Sequence, residues 1–314
     1  MAHTDVLTSI NACVIIPTYN NAKTLPRVIE GVLSFTSRLI VVNDGSTDQT
    51  PDILSKYPLL ARIDLPKNRG KGNALREAFR LAGERQFDYA ITLDSDGQHF
   101  PEDIPTFVRE IERNGMALLI GDRNMSQAGI PGKSSFGNRF SNFWFRFETG
   151  LTLSDTQSGF RLYPLREIRD IRLYTNKFEF EIEVIVKAAW RGIPVRNVPV
   201  RVLYDPEERV SHFRPFRDFT RISILNTWLV MVTLFYIRPR AYFRTFKEKG
   251  VRRFFFEDLL HSDDPPLKKA LSVALGVFIG FSPLWGAQTV VVLFLAWMLQ
   301  LNKLIAFAFS NVSI

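Results

Sequence analysis

The chain has 314 residues, of which 46% are hydrophobic and 23% charged, and these proportions exclude a disordered or fibrous protein. It has one cysteine, Cys13, which excludes an intramolecular disulfide and a zinc site built from several cysteines. The net charge of +8 arises mainly in the last third, where residues 211–314 carry 13 Lys and Arg against 6 Asp and Glu. These basic residues alternate with Phe and flank apolar runs, a pattern that argues against nucleic acid as a partner.

Short apolar runs alternate with amphipathic segments over the first 120 residues. The apolar runs predict strands, and they cover residues 12–17, 39–42, 61–65, 89–93 and 117–120. The amphipathic segments predict helices, and they cover residues 25–33, 52–57, 74–82 and 103–113. Alternation of strands and helices predicts an α/β fold, with a parallel sheet wrapped by helices.

Polar clusters follow four of the predicted strands, at residues 18–21, 43–46, 67–73 and 94–99. Ligands of such sheets gather at the carboxyl ends of the strands, so these clusters predict one binding site. Taken alone, each cluster is also compatible with an ordinary turn, and Asp44 could simply cap the helix that follows it.

Asp94 and Asp96 give the strongest single signal for chemistry. They follow a predicted strand, and their spacing lets both carboxylates face one side, with Gln98 two residues further on. Oxygen ligands of this kind favour Mg²⁺ or Mn²⁺ over zinc, and such a cation usually bridges the phosphates of a nucleotide. We interpret His99 as a turn residue that packs against Phe100 and Pro101, with no part in the mechanism.

Three other segments are candidates for ligand binding. Residues 67–73 combine two glycines with three cations, but they lack the spacing of a P-loop; the cations either approach a diphosphate or are solvated. Residues 138–147 place aromatic side chains and arginines together, which is typical of a groove for an anionic, apolar ligand. Residues 155–161 form a tight polar turn from which Asp155 is expected to reach the site.

Six motifs in order make residues 12–215 resemble family 2 glycosyltransferases, which have the GT-A fold. The nearest subgroup is that of dolichyl-phosphate mannose synthases and polyprenyl-phosphate glycosyltransferases. The motifs are IPTYN at 16–20, VNDGSTD at 42–48, NRGKGNA at 68–74, DSDGQH at 94–99, GDR at 121–123 and DTQSGFR at 155–161. The resemblance implies a mostly parallel sheet flanked by helices, followed here by membrane-associated helices.

The resemblance also implies roles for individual residues. The residues expected to bind the nucleotide-sugar are Pro17, Tyr19, Asn21, Asp44, Lys71, Asp94, Ser95, Arg209 and His212. Those expected to hold the metal are Asp94, Asp96 and Gln98, and those expected to act in catalysis are Asp96, Arg123 and Lys133. Arg123 and Lys133 match cations that receive the acceptor phosphate. Arg209 and His212 match an Arg-x-x-Lys clamp on the diphosphate, where His212 departs from the pattern and Arg214 could substitute.

The last hundred residues predict membrane association. Residues 216–260 form a basic, aromatic segment, and its apolar run of 16 residues at 222–237 is shorter than the roughly 20 needed to cross a bilayer. We therefore expect an interfacial helix on an anionic membrane; a buried helix of the soluble domain is the alternative. Residues 268–314 resemble the first half of an uncharacterised bacterial membrane domain. We expect a re-entrant segment followed by a span over 284–302, within a partial domain (261–314) of a longer protein.

These observations predict metal-dependent transfer of a sugar from a GDP- or UDP-sugar to a polyprenyl phosphate, with inversion. The catalytic domain, residues 1–215, is expected on the cytoplasmic face of a bacterial inner membrane. One alternative is transfer to a hydroxyl of a glycan or glycolipid, which needs a carboxylate base that Asp155, Glu179 or Glu181 could supply. Another is a membrane scaffold with an inactive transferase domain.

Overall fold

All five predicted strands form, and each begins within one residue of its expected position. The computed structural model describes residues 5–124, 132–203, 214–240, 264–282 and 287–311. The strands are β1 (Ala12–Thr18), β2 (Leu39–Asn43), β3 (Ala61–Asp64), β4 (Tyr89–Thr92) and β5 (Leu118–Asp122). The helices between them are α1 (Leu25–Leu33), α2 (Thr50–Ser55), α3 (Lys71–Glu84) and α4 (Ile104–Asn114), the last preceded by a 3-10 turn at Pro101–Asp103.

Two further strands, β6 (Arg161–Pro164) and β7 (Val195–Pro199), complete a sheet of seven strands in the described residues. The strand order is β3-β2-β1-β4-β6-β5-β7. β6 lies antiparallel between β4 and β5, and every other pairing is parallel. The prediction of an α/β fold with a mostly parallel sheet is therefore confirmed, whereas β6 and β7 were not predicted.

Each face of the sheet has its own hydrophobic core. Every residue of β1 is buried, and successive side chains point to opposite faces. Ile15 packs with α3 on one face, and Ile16 packs with α1 and α4 on the other. Helices therefore pack on both faces of the sheet.

A first compact unit covers Met1–Phe235; we call it the catalytic unit because it contains the expected catalytic domain, residues 1–215. Its second half consists mainly of helices. They are α5 (Gly132–Thr149), α6 (Leu165–Arg169), α7 (Glu179–Trp190) and α8 (Pro215–Val232). α8 packs on this unit through Leu225 and Leu229, which belong to the core. The Nζ atom of Lys187 on α7 lies 4.3 Å from the ring centre of Tyr174 and 5.0 Å from that of Trp228 on α8. These contacts hold one face of α8 against the catalytic unit.

The opposite face of α8 exposes large apolar side chains, including Phe216 at 93% and Ile224 at 66%. A π-helical segment at Thr233–Ile237 continues α8, and the whole helical stretch Phe216–Arg240 has 25 residues. Among the described helices it is the one that is long and apolar enough to cross a membrane. The helical segment is therefore longer than the uncharged run of 16 residues, and the expected interfacial position of this segment stays a prediction.

A second compact unit covers Tyr236–Ile314. Its described helices are α9 (Pro266–Gly280), α10 (Gln288–Met298) and α11 (Lys303–Ser310). Gly276 allows α9 to approach α11 closely, since a Cβ there would collide with the carbonyl oxygen of Ala306. α10 has 11 residues, or about 16 Å, and Asn302 then begins a new helix by accepting hydrogen bonds from two backbone amides. Within the expected span over 284–302, the described helix therefore covers only Gln288–Met298, and residues 284–286 lie outside the described residues.

One buried carboxylate of the catalytic unit leads to a prediction about stability. Glu148, near the end of α5, is 2% exposed, and neither side-chain oxygen has a hydrogen-bond partner in the described part of the chain. Burial raises the pKa of Glu148 to about 8. The folded state therefore holds a proton that the unfolded chain loses above about pH 4.5. This stabilisation is complete below that pH and falls by about 1.4 kcal/mol per unit as the pH rises towards 8.

We therefore expect Glu148→Gln to raise the melting temperature at pH 8 and to change it little at pH 5. Thermal unfolding of both forms across this range measures the difference. Glu84→Gln is the control, because Glu84 is exposed and pairs with Arg80 on the surface. Equal shifts at both pH values would contradict an ionisation that is suppressed by burial.

Candidate functional site

A cleft of about 560 Å³ lies at the carboxyl ends of β1, β2 and β4. It brings together eight of the residues expected at the donor and metal sites: Pro17, Tyr19, Asn21, Asp44, Lys71, Asp94, Ser95 and Asp96. The strand order explains this, because β1 lies between β2 and β4 and all three are parallel. The three loops that follow these strands therefore meet at one edge of the sheet.

Asp44 joins two of these loops. Its carboxylate oxygens accept hydrogen bonds from the backbone amides of Arg69 and Gly70, each at 2.8 Å. Burial raises the pKa of Asp44, against the effect of these two hydrogen bonds. Gly45 permits the close approach, since it has φ +70° and a Cβ would collide with the backbone of Lys67. Asp44 therefore organises the cleft, and the simpler interpretation of a cap on α2 is wrong.

Lys71 lies between two acidic side chains at the bottom of the cleft. Its Nζ atom is 2.6 Å from Asp94 Oδ1 and 3.1 Å from Glu181 Oε1. Burial alone would lower the pKa of Lys71, but the two carboxylates outweigh burial and raise it. Gly159 makes room for this pair, because a Cβ there would lie 2.6 Å from Nζ and would also collide with the Asp94 carboxylate. The ammonium group thus balances the charge of Asp94, which lets a second carboxylate lie nearby.

The second carboxylate of the motif, Asp96, accepts a hydrogen bond from the backbone amide of Gln98 at 3.1 Å. No cluster of three His, Cys, Asp or Glu residues suited to a metal occurs in the described parts of the chain. The cation ligands expected from the sequence are Asp94, Asp96 and Gln98; Asp94 and Asp96 line the cleft, whereas Gln98 is not among the residues that line it. This oxygen donor set fits Mg²⁺ or Mn²⁺, which usually keep several such ligands.

Ser95 links the loop that follows β4 to the loop that follows β1. Its hydroxyl accepts a hydrogen bond from Asn21 Nδ2 at 2.7 Å, and its carbonyl oxygen accepts one from the Thr24 hydroxyl at 2.6 Å. The Oδ1 atom of Asn21 is buried and has no hydrogen-bond partner among the described residues. Asn21 therefore keeps an acceptor available at a position expected to meet the nucleoside.

Arg123, at the end of β5, forms a two-point ion pair with the buried Asp155. Arg123 Nε lies 2.7 Å from Asp155 Oδ2, and one terminal nitrogen lies 3.1 Å from Oδ1. Asn138 Nδ2 on α5 also donates to Oδ1, at 2.7 Å. Burial would raise the pKa of Asp155, but the hydrogen bonds and charge of Arg123 lower it. Asp155 therefore orients Arg123, and the suggestion that it is a general base is not supported.

The other carboxylates considered as bases are Glu181 and Glu179. Glu181 pairs with Lys71, and its backbone carbonyl accepts a hydrogen bond from Arg161 at 2.6 Å. Arg161 itself is fully buried and also donates to the carbonyl oxygens of Thr156 and Ser158. Glu179 is buried at the start of α7, and it is absent from the lining of the cleft.

His99 is buried against a partner different from the expected one. Its ring centre lies 5.4 Å from that of Phe160, and Phe100 instead stacks against Arg201. Burial lowers the pKa of His99 to about 4, so the imidazole is neutral near pH 7. The sequence analysis predicted that His99 packs against Phe100 and Pro101; the ring contact that the structure shows is with Phe160.

Some expected site residues lie outside the described structure. These are Arg209, His212 and the side chain of Lys133. Conversely, the cleft has lining residues to which the sequence analysis gave no role: Lys177, Phe178, Arg217 and Asp218. Arg214, which the analysis considered as a substitute for His212, also lines it. These lining residues lie just before α7 or at the start of α8. They are distant in sequence from the motifs, and their spacing does not identify them as binding residues.

Known proteins share this fold and parts of this sequence. Residues 13–169 match glycosyl transferase family 2, and residues 251–314 match an uncharacterised family conserved in bacteria, DUF2062. UDP-N-acetylglucosamine–dolichyl-phosphate N-acetylglucosaminyltransferase of Methanococcus voltae is 25% identical over 61% of this chain and 84% of its own. Undecaprenyl-phosphate mannosyltransferase of Micrococcus luteus is 27% identical over 59% of this chain and 81% of its own.

Among solved structures, the fold is similar to that of glucosyl-3-phosphoglycerate synthase from Mycobacterium tuberculosis in complex with Mn²⁺, UDP and phosphoglyceric acid. The TM-score is 0.54 with 20% identity, over 74% of this chain and 80% of that one. The same synthase has also been solved with Mg²⁺ and UDP. The fold and the cleft thus define a glycosyltransferase of the GT-A class. The chain belongs to glycosyltransferase family 2, followed by a DUF2062 segment.

Proposed function

We propose that this enzyme transfers a sugar from a nucleotide-sugar to a polyprenyl phosphate, with inversion at the anomeric carbon. The donor occupies the cleft, where Pro17, Tyr19, Asn21 and Asp44 meet the nucleoside. Asp94, Asp96 and Gln98 would hold Mg²⁺ or Mn²⁺, which would supply positive charge to stabilise the diphosphate of the donor. The names of the two relatives, which act on dolichyl and undecaprenyl phosphate, support this acceptor class.

The observation that carries the proposal is the pairing of the carboxylates around the cleft. Asp155 is fully buried and bonded to Arg123, and Glu181 is paired with Lys71. A hydroxyl acceptor needs a base to take its proton, and neither carboxylate is placed to act as one. A phosphate acceptor is largely ionised at neutral pH, since its second pKa is about 6, and it brings its own nucleophile.

The chain's own residues then act by alignment. Arg123, held in place by Asp155, receives the acceptor phosphate together with Lys133, so that a phosphate oxygen can attack the anomeric carbon. The bond to the nucleoside diphosphate breaks as the new bond forms, and the sugar moves to the lipid phosphate. Because both substrates are anions, orientation by fixed cations supplies much of the rate enhancement.

Membrane association brings the lipid acceptor within reach. We propose that the exposed apolar face of α8 and the basic segment around it lie on the anionic cytoplasmic face of a bacterial inner membrane. Phe140 on α5 packs against Phe219 on α8, with ring centres 5.8 Å apart. An aromatic surface therefore extends from α8 to α5, the helix that also bonds Asp155 through Asn138. It offers a path for a polyprenyl chain whose phosphate reaches Arg123.

A donor screen tests the proposal directly. The full chain in detergent is incubated with UDP- or GDP-sugars and polyprenyl phosphate, with EDTA or with added Mg²⁺ or Mn²⁺. We expect a sugar–phosphate lipid from one class of donor, loss of the product with EDTA, and recovery on addition of metal. Transfer to polyprenol or to a glycan, but not to polyprenyl phosphate, would overturn the acceptor assignment; no transfer from any donor would favour an inactive scaffold.

A further inference from the structure

Lys71, one of the cations that the sequence analysis expected to bind the donor, is already paired with two acidic side chains. Lys71 contacts Asp94 at 2.6 Å and Glu181 at 3.1 Å. A diphosphate that competed for its ammonium group would have to displace two carboxylates. Protein cations elsewhere in the cleft could therefore add to the metal in balancing the donor's charge, since Asp44, Asp94 and Asp96 also line the cleft.

Such cations lie on the lining segments that the motifs do not cover. Lys177 precedes α7, and Arg217 lies in the first turn of α8. Within the described chain, neither forms an ion pair with a carboxylate, whereas Arg123 and Lys71 both do. Lys177 lines the cleft together with Asp44, and its charge lowers the pKa of Asp44 against the effect of burial.

Contacts of the surrounding chain position Lys177 and the helix turn that carries Arg217. The side chain of Lys177 lies over Gly70, where an added Cβ would come within 2.7 Å of its Cγ atom. Asp218, which is buried, accepts a hydrogen bond from the backbone amide of Arg214 at 2.7 Å. This bond fixes the start of α8 at the cleft, in the manner of a side chain that reaches back to a helix N-cap.

We propose that Lys177 and Arg217 bind the diphosphate of the donor and of the departing nucleotide. This proposal rests on the proposed function for the presence of a nucleotide-sugar, but it does not depend on the acceptor. The two side chains supply positive charge that faces the acidic side of the cleft, and each can donate charge-assisted hydrogen bonds to phosphate oxygens. α8 thereby contributes to donor binding in addition to carrying the exposed apolar face.

The test compares a nucleoside diphosphate with its nucleoside. UDP, GDP, uridine and guanosine are titrated against the full chain with Mn²⁺, without lipid or sugar. We expect Lys177→Ala and Arg217→Ala each to weaken binding of the diphosphate about tenfold, the usual magnitude for one charge-assisted hydrogen bond. Binding of the nucleoside should stay within about twofold of wild type. Arg217→Lys should retain part of the affinity, because it keeps the charge.

Arg238→Ala is the matched control, since Arg238 lies at the far end of the same helix and the substitution removes the same charge. It should leave binding of the diphosphate unchanged. Equal weakening of nucleoside and diphosphate, or no weakening of either, would overturn the assignment of Lys177 and Arg217. Nucleotide binding without transfer to polyprenyl phosphate would refute the proposed acceptor and leave this inference standing, whereas a wild-type chain that binds neither nucleotide would overturn both.

Discussion

Asp96→Asn is expected to lower sugar transfer by at least about 100-fold, because changes even to groups behind a metal ligand cost 10–100-fold in metal affinity or activity. The substitution removes one of two carboxylates available to a cation at this edge of the cleft. It keeps the shape of the side chain and leaves an oxygen that can accept the hydrogen bond from the Gln98 amide. We therefore expect the fold to survive.

Two measurements separate this metal role from a purely structural one. Mn²⁺ binding, followed by electron paramagnetic resonance, should weaken in parallel with turnover, while the melting temperature stays close to that of wild type. Asp170→Asn is the control, because Asp170 is an exposed aspartate on the surface. Turnover that is normal in Asp96→Asn, or insensitive to EDTA in wild type, would refute the metal assignment.

Arg123→Lys is expected to raise the KM for polyprenyl phosphate by about 10–100-fold, in line with the loss of one or two charge-assisted hydrogen bonds. The KM for the nucleotide-sugar should change little. Lysine keeps the positive charge but cannot reproduce the two-point contact with Asp155. Without that contact, the cation is no longer held at the position where it meets the acceptor phosphate.

Arg123→Ala should have an additional effect on folding. It leaves the carboxylate of Asp155 buried and without its cation, which typically costs 3–5 kcal/mol of unfolding free energy. Urea unfolding of both variants separates the two effects, and Arg62→Ala provides the comparison. Arg62 pairs with Asp64 on the surface, so its loss should cost less than about 1 kcal/mol. Equal increases of KM for both substrates in Arg123→Lys would mean that Arg123 serves the donor as well.

The first half of the fold could be predicted from the sequence because its strands are uninterrupted apolar runs. Val14 and Ile16, for example, face one core while Cys13 and Ile15 face the other, so the whole strand is apolar. β6 gives no such signal. It has four residues, and one of them, Arg161, is charged yet fully buried. Three backbone carbonyls satisfy its guanidinium group, and this arrangement depends on tertiary structure that no local pattern reveals.

In the site, too, local sequence patterns predict some residues, whereas others depend on tertiary packing. The motifs at the strand ends led to Asp44, Asp94 and Asp96 because each follows an apolar run that fixes where the strand ends. They did not lead to Lys177 or Arg217, since these reach the cleft only through the packing of α7 and α8 on the catalytic unit. The pairing of Lys71 with Glu181 was also missed, because a sequence does not show which charges neutralise one another across 110 residues.

The position of β6 determines the order in which the sheet can be completed during synthesis. β1 to β4 can pair as soon as residue 92 has been made, but β4 then presents an open edge of unpaired backbone groups. β4 gains its partner only when the chain has reached Arg161, which pairs with Thr92. β5 pairs with β6 on one side and waits for β7, from Val195, on the other. Such distant pairings close slowly, and an open edge invites pairing with another chain. Nascent or truncated chains that end between β5 and β6 should therefore aggregate, and solubility should return once the chain includes β6 and β7.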